Sequence, residues 1–188
     1  MSLVMLKLIG WAGSLRQGSY SQLALDAAIA KAAAQGASVE RLDLRQLHLP
    51  FCTGADSYPD YPDVATFQAK VAAADGILLV TPEYHGSVSG VLKNSLDLLS
   101  FPELSGKVVA MISVLGGQTN SNALNDLRVI LRWVHAWVIP EQVAIGQAWQ
   151  AFTPEGQLKD AKLDERLDKL ITSWLQTTQQ LRQPAPVA

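Results

Sequence analysis

A chain of 188 residues is long enough to bury a substantial core and fits one domain. Nearly half of it is apolar (48%), 17% is charged and the net charge is −2, a balance that gives no electrostatic reason to expect nucleic acid as a partner. No apolar stretch approaches the ~20 residues that span a bilayer. The N-terminus lacks the basic region and cleavage site of a secretory leader, and Cys52 is alone, which excludes an internal disulfide and favours a reducing compartment. A cytoplasmic protein acting away from membranes is expected.

Residues 4–11 are rich in Val, Leu and Ile, the pattern of a strand buried on both faces. The next stretch, Gly13-Ser14-Leu15-Arg16-Gln17-Gly18-Ser19-Tyr20-Ser21-Gln22, is polar and rich in hydroxyls. From residue 22 to 35, alanines, Leu25 and Ile29 recur at helical spacing. Strand, short loop and helix start in that order bring unpaired N–H groups and the positive end of a helix dipole to the loop, which suits an anion. Ser14, Ser19 and Ser21 add neutral donors, and Arg16 adds a planar charged fork for phosphate oxygens. No Gly-Lys-Ser/Thr follows, so the triphosphate loop is excluded. Gly10, Gly13 and Gly18 do not space as G-x-G-x-x-G, so the dinucleotide fingerprint is absent. A cradle for a phosphate monoester and an ordinary Ser-rich helix cap both remain open.

Farther along, strands are expected at 38–44, 76–81, 107–114 and 142–146, and helices at 63–74, 88–99, 123–137 and 163–181. Five strands separated by helices imply an α/β domain over residues 1–188, built on a parallel sheet covered on both faces, with a fraying tail at 183–188. The loop at 45–62 carries Pro50, Pro59, Pro62, Tyr58 and Tyr61, and loops that long in compact domains are often functional. Ligands of open parallel sheets sit beyond the carboxyl ends of the strands. Two further loops belong there. In Thr81-Pro82-Glu83-Tyr84-His85-Gly86-Ser87, Pro82 cannot donate to a ladder and is expected to end its strand. Gly86 allows close approach of backbone to a flat ligand, and Tyr84 and His85 offer ring surfaces. In the loop from Ser113 to Asn122, paired Gly116 and Gly117 expose backbone groups of the kind a planar heterocycle needs at its edge.

Gly13-Ser14-x-Arg16-x-x-Ser19, then Thr81-Pro82-Glu83-Tyr84, then Gly90-Val91-Leu92-Lys93-Asn94-x-x-Asp97 resemble the NADPH-dependent FMN reductase family, over residues 6–146 and in the family's order. The resemblance implies a flavodoxin-like three-layer sandwich with a five-stranded parallel sheet. It implies FMN as cofactor, NADPH as hydride donor, a flavin, quinone or similar small-molecule acceptor, and a homodimer or homotetramer. Carried over by position, Ser14, Arg16, Ser19, Ser21 and Gln22 bind the FMN phosphate end. Pro82, Glu83, Tyr84, His85 and Gly86 lie along the isoalloxazine ring, and Ser113, Gly116, Gly117 and Gln118 approach its pyrimidine side. No protein residue is required as a catalytic group, and no metal is implied. Many members carry Asn at the positions of Ser21 and His85, and some have a longer glycine run in the third loop. The competing reading is a flavodoxin-like electron carrier or a non-catalytic flavin-binding protein, although such carriers are usually strongly acidic.

Other residues admit plain structural roles. His85 is either a ring contact or a proton donor. Lys93 and Asp97, four apart on a helix, are placed to pair across one turn. Trp133 and Trp137, also four apart, form a stripe with Ile130 and Val134 that either packs in the core or forms a subunit contact. Cys52 has no partner for redox chemistry and is expected to be inert.

Overall fold

The computed structural model describes residues 6–182. The first apolar run forms β1 (Leu8–Ala12), buried at all five positions as a strand covered on both faces must be. Val4 and Met5, also assigned to this strand from sequence, and the tail at 183–188 lie outside the described residues. β1 pairs in parallel with β2 (Val39–Leu42) on one side and with β3 (Gly76–Tyr84) on the other, and β3 pairs with β5 (Val108–Val114). A two-residue strand, β4 (Ser87–Val88), folds back antiparallel on the end of β3. Beyond β5 the fifth position is filled by two short segments, β6 (Trp137–Val138) and β7 (Val143–Ile145), each parallel to β5 at a different height. Pro140 lies between them and has no N–H to donate, which accounts for the break. Counting β6 and β7 as one interrupted strand, the order β2-β1-β3-β5-β6/β7 is a doubly wound arrangement whose switch point lies between β1 and β3.

Side chains alternate across each strand and so divide the interior into two cores. Leu8, Leu78, Val80, Ala110 and Ile112 face α1 (Tyr20–Ala34) and α7 (Ala161–Leu181), where they meet Leu25, Leu167 and Trp174. Ile9, Trp11, Ile77, Leu79 and Met111 face α2 (Pro62–Ala73), α3 (Gly90–Asp97) and α5 (Asn122–Trp133), where they meet Phe67, Leu92 and Leu127. Each core holds a fully buried tryptophan whose indole N–H has a partner: Trp174 donates to the Val108 carbonyl and Trp11 to Ser95 Oγ, both at 3.1 Å. Two single turns, α4 (Phe101–Leu104) and α6 (Ala148–Ala151), complete the chain.

Helix α3 begins two residues later than its apolar pattern suggests, because Val88 is drawn into β4 and Ser89 caps the helix, accepting from Leu92 N at 3.1 Å. Helix α5 ends four residues earlier than expected. His135 takes φ 59°, a left-handed conformation that a helix cannot continue through, and Trp137 joins β6. Trp133 and Trp137 therefore do not form one helical stripe. Both are exposed, at 71% and 60%, which overturns the core-packing alternative and leaves an aromatic edge on the surface. Lys93 and Asp97 do pair, at 2.7 Å.

Candidate functional site

The first loop leaves the carboxyl end of β1 and enters α1. Ser19 is the N-cap: its backbone is extended, and its hydroxyl oxygen accepts from Ser21 N at 3.2 Å. Ser14 and Ser21 are almost completely buried, yet neither hydroxyl has a hydrogen-bond partner among the described residues. The N–H groups of Leu15, Arg16 and Gln17 likewise have none. Arg16 is exposed; its guanidinium carbon lies 5.4 Å from the centroid of the Tyr20 ring, and Tyr20 in turn stacks on Phe152. Gln22 is engaged within the protein. Its amide donates to the Ser14 carbonyl at 2.8 Å and accepts from Arg41 Nη2 at 2.6 Å. Arg41 is itself held by Asp26 and Asp43. Hydrogen bonds from Arg45 hold the Asp43 carboxyl well below the usual carboxylate range, so this bracing stays charged into strongly acid solution. Gln22 thus shapes the loop from behind.

The second loop corrects the expected strand end. β3 runs through Pro82 to Tyr84, pairing Pro82 with Val114 and Glu83 with Val88. In a parallel strand the N–H and C=O of alternate residues face the same neighbour. The Val80 carbonyl accepts from Gly13 N at 2.8 Å on the β1 side, so the nitrogen of Pro82 faces that side too, where β1 has already ended. A missing donor costs nothing there. His85 (φ 52°) and Gly86 (φ 77°) form the two-residue turn into β4, the turn for which Asn-Gly is the favoured pair. His85 is exposed and holds a left-handed conformation that Asn adopts with less strain. A Cβ at Gly86 would meet nothing closer than 3.6 Å, so its positive φ, rather than crowding, is what calls for glycine. Glu83 accepts from Ala123 N at 3.1 Å and Ser87 donates to Asp126 at 2.6 Å, fastening the hairpin to the start of α5. Tyr84 stands half-exposed beside a cavity of about 400 Å³ that Leu15, Leu47, Phe51 and Val91 also line.

The third loop follows β5. Gly116, Gly117 and Gln118 are exposed, with open space where a Cβ would stand on either glycine. The loop is tied down by Leu115 N donating to the Ile145 carbonyl and Gln147 N donating to the Gly117 carbonyl. Ser113, just beneath it, is fully buried, and among the described residues its hydroxyl oxygen is the one side-chain oxygen or nitrogen closed off from solvent that has no hydrogen-bond partner.

Several residues that shape the site were not singled out from sequence. Ser89 Oγ donates to the Gly13 carbonyl at 2.6 Å, and Thr81 Oγ1 accepts from Ser89 N at 3.2 Å, so a buried polar seam joins the first and second loops. Gly13 is packed so closely that a Cβ would sit 2.5 Å from Leu92 Cβ and 2.6 Å from Ser89 Oγ. Ser89 carried a usable sign, since it precedes an apolar helical run as an N-cap does. Arg41 carried none.

These features suit a flavin mononucleotide. Two hydroxyls on largely buried serines and three N–H groups, all without partners among the described residues, stand at a helix N-terminus beside an arginine, and the exposed turn at Tyr84, His85 and Gly86 and the exposed Gly116, Gly117 and Gln118 follow neighbouring strands of the same sheet. Among the described residues no cluster of His, Cys, Asp or Glu fits a metal ion, and no helix is long and apolar enough to cross a membrane.

All three loops lie within residues 6–150, which match the family model for NADPH-dependent FMN reductase. An NADPH azoreductase of Bacillus sp. (strain OY1-2) is 43% identical over 118 residues, 62% of this chain and 66% of that protein. That match thus spans just under two thirds of either chain. An NAD(P)H-dependent FMN reductase of Pseudomonas aeruginosa is 36% identical over 180 residues, covering 93% of this chain and 94% of the relative. Among solved structures, FerB, a flavoenzyme NAD(P)H:(acceptor) oxidoreductase from Paracoccus denitrificans, superposes with a TM-score of 0.74 over 93% of this chain and 99% of that one. At 22% identity, that likeness speaks for the fold.

Proposed function

The chain belongs to the NADPH-dependent FMN reductase family, and from that premise we propose that it binds FMN and passes hydride from NADPH to a small-molecule acceptor. The observation that carries this reading is the first loop, where the hydroxyls of the largely buried Ser14 and Ser21 and N–H groups that have no partner among the described residues meet the start of α1 beside Arg16. In this reading Ser14, Arg16, Ser19 and Ser21 hold the phosphate, and Gln22 keeps the loop in shape. Pro82 to Gly86 flank the ring, and Ser113 with Gly116 to Gln118 serve its pyrimidine edge. Bound FMN supplies the acceptance and release of hydride; the side chains bind and orient it and offer donors where negative charge collects. The apolar cavity by Leu15, Phe51 and Tyr84 gives a flat acceptor a surface next to the ring-flanking loop. The lone Cys52, hydrogen-bonded to the Asp97 carbonyl, suits a cytoplasmic setting.

Mixing NADPH with the FMN-loaded protein in the absence of air is expected to bleach the flavin band within seconds. Free flavin, a quinone and an azo dye, tested in turn, then identify the acceptor by reoxidation. His85→Asn is expected to keep bleaching at the wild-type rate within a few-fold, because it places Asn-Gly in a turn that favours this pair. A folded, FMN-loaded wild type that NADPH leaves oxidised would refute the reductase reading and favour a carrier. A rate collapse in His85→Asn would make the imidazole a proton donor.

We also infer a homodimer or homotetramer in which the Trp133 and Trp137 edge takes part. Exposed tryptophans, here Trp133 at the end of α5 and Trp137 on the edge strand β6, are unusual on a free surface and common at contacts between subunits. Trp137→Glu places a charge on that edge and is expected to yield a smaller species by light scattering with an unchanged circular dichroism spectrum. An unaltered mass in the variant, or a monomeric wild type, removes these residues from any interface.

A further inference from the structure

The strongest unassigned feature is a cavity of about 540 Å³ at the carboxyl edge of the sheet, between the third loop and the start of α7. Thr119 and Gln147 form one wall, and Lys159, Lys162 and Arg166 bring three positive charges to it. One acid, Asp160, also lines the cavity, and the other acids nearby are engaged by other cations. Asp160 caps α7 by accepting from Leu163 N at 2.9 Å, Asp164 and Asp168 both hold Lys31, and Glu165 pairs with Lys169. Lys159, Lys162 and Arg166 have no ion pair or side-chain hydrogen bond among the described residues. In a chain of net charge −2, three cations without ion pairs among the described residues, set against the single Asp160 carboxylate around one cavity, are a local excess of positive charge rather than an overall one.

The cavity wall is fastened to the third loop of the proposed flavin site. Thr119 directly follows Gly116 to Gln118, and the Gly117 carbonyl accepts from Gln147 N at 2.7 Å, so loop and cavity wall are one hydrogen-bonded unit. A pyridine nucleotide whose nicotinamide meets the flavin must lay its adenosine end across the surface beside that ring. We propose that this basic cavity binds the 2′-phosphate of NADPH through Lys162 and Arg166 and sets the preference for NADPH over NADH. The proposal rests on NADPH being the hydride donor at the flavin site. A phosphate monoester dianion is the chemistry that three free cations select, and an arginine fork matches two of its oxygens. NADH lacks that group.

The test separates binding from turnover. Adenosine 2′,5′-bisphosphate, 5′-AMP and inorganic phosphate are titrated calorimetrically into FMN-loaded wild type and into Lys162→Ala/Arg166→Ala. Both side chains are exposed on α7 and alanine is a strong helix former, so the fold is preserved. The bisphosphate is expected to bind wild type at least about tenfold more tightly than 5′-AMP and to lose about tenfold or more in the double variant, with the loss shrinking at high salt. The KM for NADPH should rise by a similar factor while the kcat and the KM for NADH stay within about twofold. Bisphosphate affinity unchanged by the double substitution overturns the proposal. So does inorganic phosphate binding as tightly as the bisphosphate, which would make this a simple anion hole. A parallel rise in both KM values overturns it as well, since the cations would then not read the 2′-phosphate. If wild type oxidises neither nucleotide, the proposed reaction fails, and the calorimetry alone still decides whether the cavity reads a 2′-phosphate.

Discussion

Gly13→Ala is expected to lower FMN affinity on the order of a hundredfold and to destabilise the protein by about 1–3 kcal/mol. The added methyl would enter space already occupied by Leu92 Cβ at 2.5 Å and Ser89 Oγ at 2.6 Å, both buried. Gly13 cannot withdraw. Its N–H donates to the Val80 carbonyl at 2.8 Å, and its own carbonyl accepts from Ser89 at 2.6 Å. Ser89 is equally fixed, because the same hydroxyl caps α3. Relief therefore has to come from a shift of the whole first loop, and with it the Ser14 and Ser21 hydroxyls that the proposed site points at the phosphate. Gly90→Ala is the matched control. It lies on the first turn of α3, a Cβ there meets nothing within 4 Å, and alanine favours the helix, so stability should hold or rise slightly. Fluorescence titration with FMN and a thermal melt, at ~2–4 °C per kcal/mol for a chain of this size, read both quantities. Wild-type affinity in Gly13→Ala would show that the seam between the loops does not set the geometry of the cradle.

The legible and illegible parts of this protein divide by the range of the interactions involved. β1, β3 and β5 are buried on both faces, so their apolar runs mark them without help from the rest of the chain. The first loop is legible for a similar reason, since serines and arginine between a strand and a helix carry their chemistry locally. Pro82 misled because a missing donor matters only toward a neighbour, and the place where β1 stops is not written near Pro82. The end of α5 misled because Val134, His135, Ala136 and Trp137 hold no Gly or Pro, and the left-handed turn at His135 serves the pairing of Trp137 with Val108. Ser89 and Arg41 act on the loop from 76 and 19 residues away, at distances in sequence that no local pattern spans. Gly86 was legible as a residue, and the structure adds a reason the local sequence did not show, the positive φ of its two-residue turn.

Arg16→Ala is expected to weaken FMN binding roughly ten- to hundredfold, the equivalent of about 1.5–3 kcal/mol for charge-assisted hydrogen bonds to a phosphate. The fold should hardly notice. Arg16 is exposed, makes no ion pair with a described residue, and has one long contact to the Gly18 carbonyl at 3.5 Å. Surface substitutions of that kind stay within about 0.5 kcal/mol of wild-type stability. Its position over the Tyr20 ring, with Tyr20 stacked on Phe152, restricts where the guanidinium can go before any ligand arrives, so less ordering is left for binding to supply. Arg16→Lys should recover part of the affinity, because it restores the charge without the planar fork. Riboflavin, which has no phosphate, is the discriminating ligand: its affinity should be the same in wild type and Arg16→Ala. The salt dependence of FMN binding should also flatten in the alanine variant, since a charge pair open to solvent is screened. Equal loss for both flavins would move Arg16 from the phosphate to the ring or to loop structure. Unchanged FMN affinity in the folded variant would remove it from the site altogether.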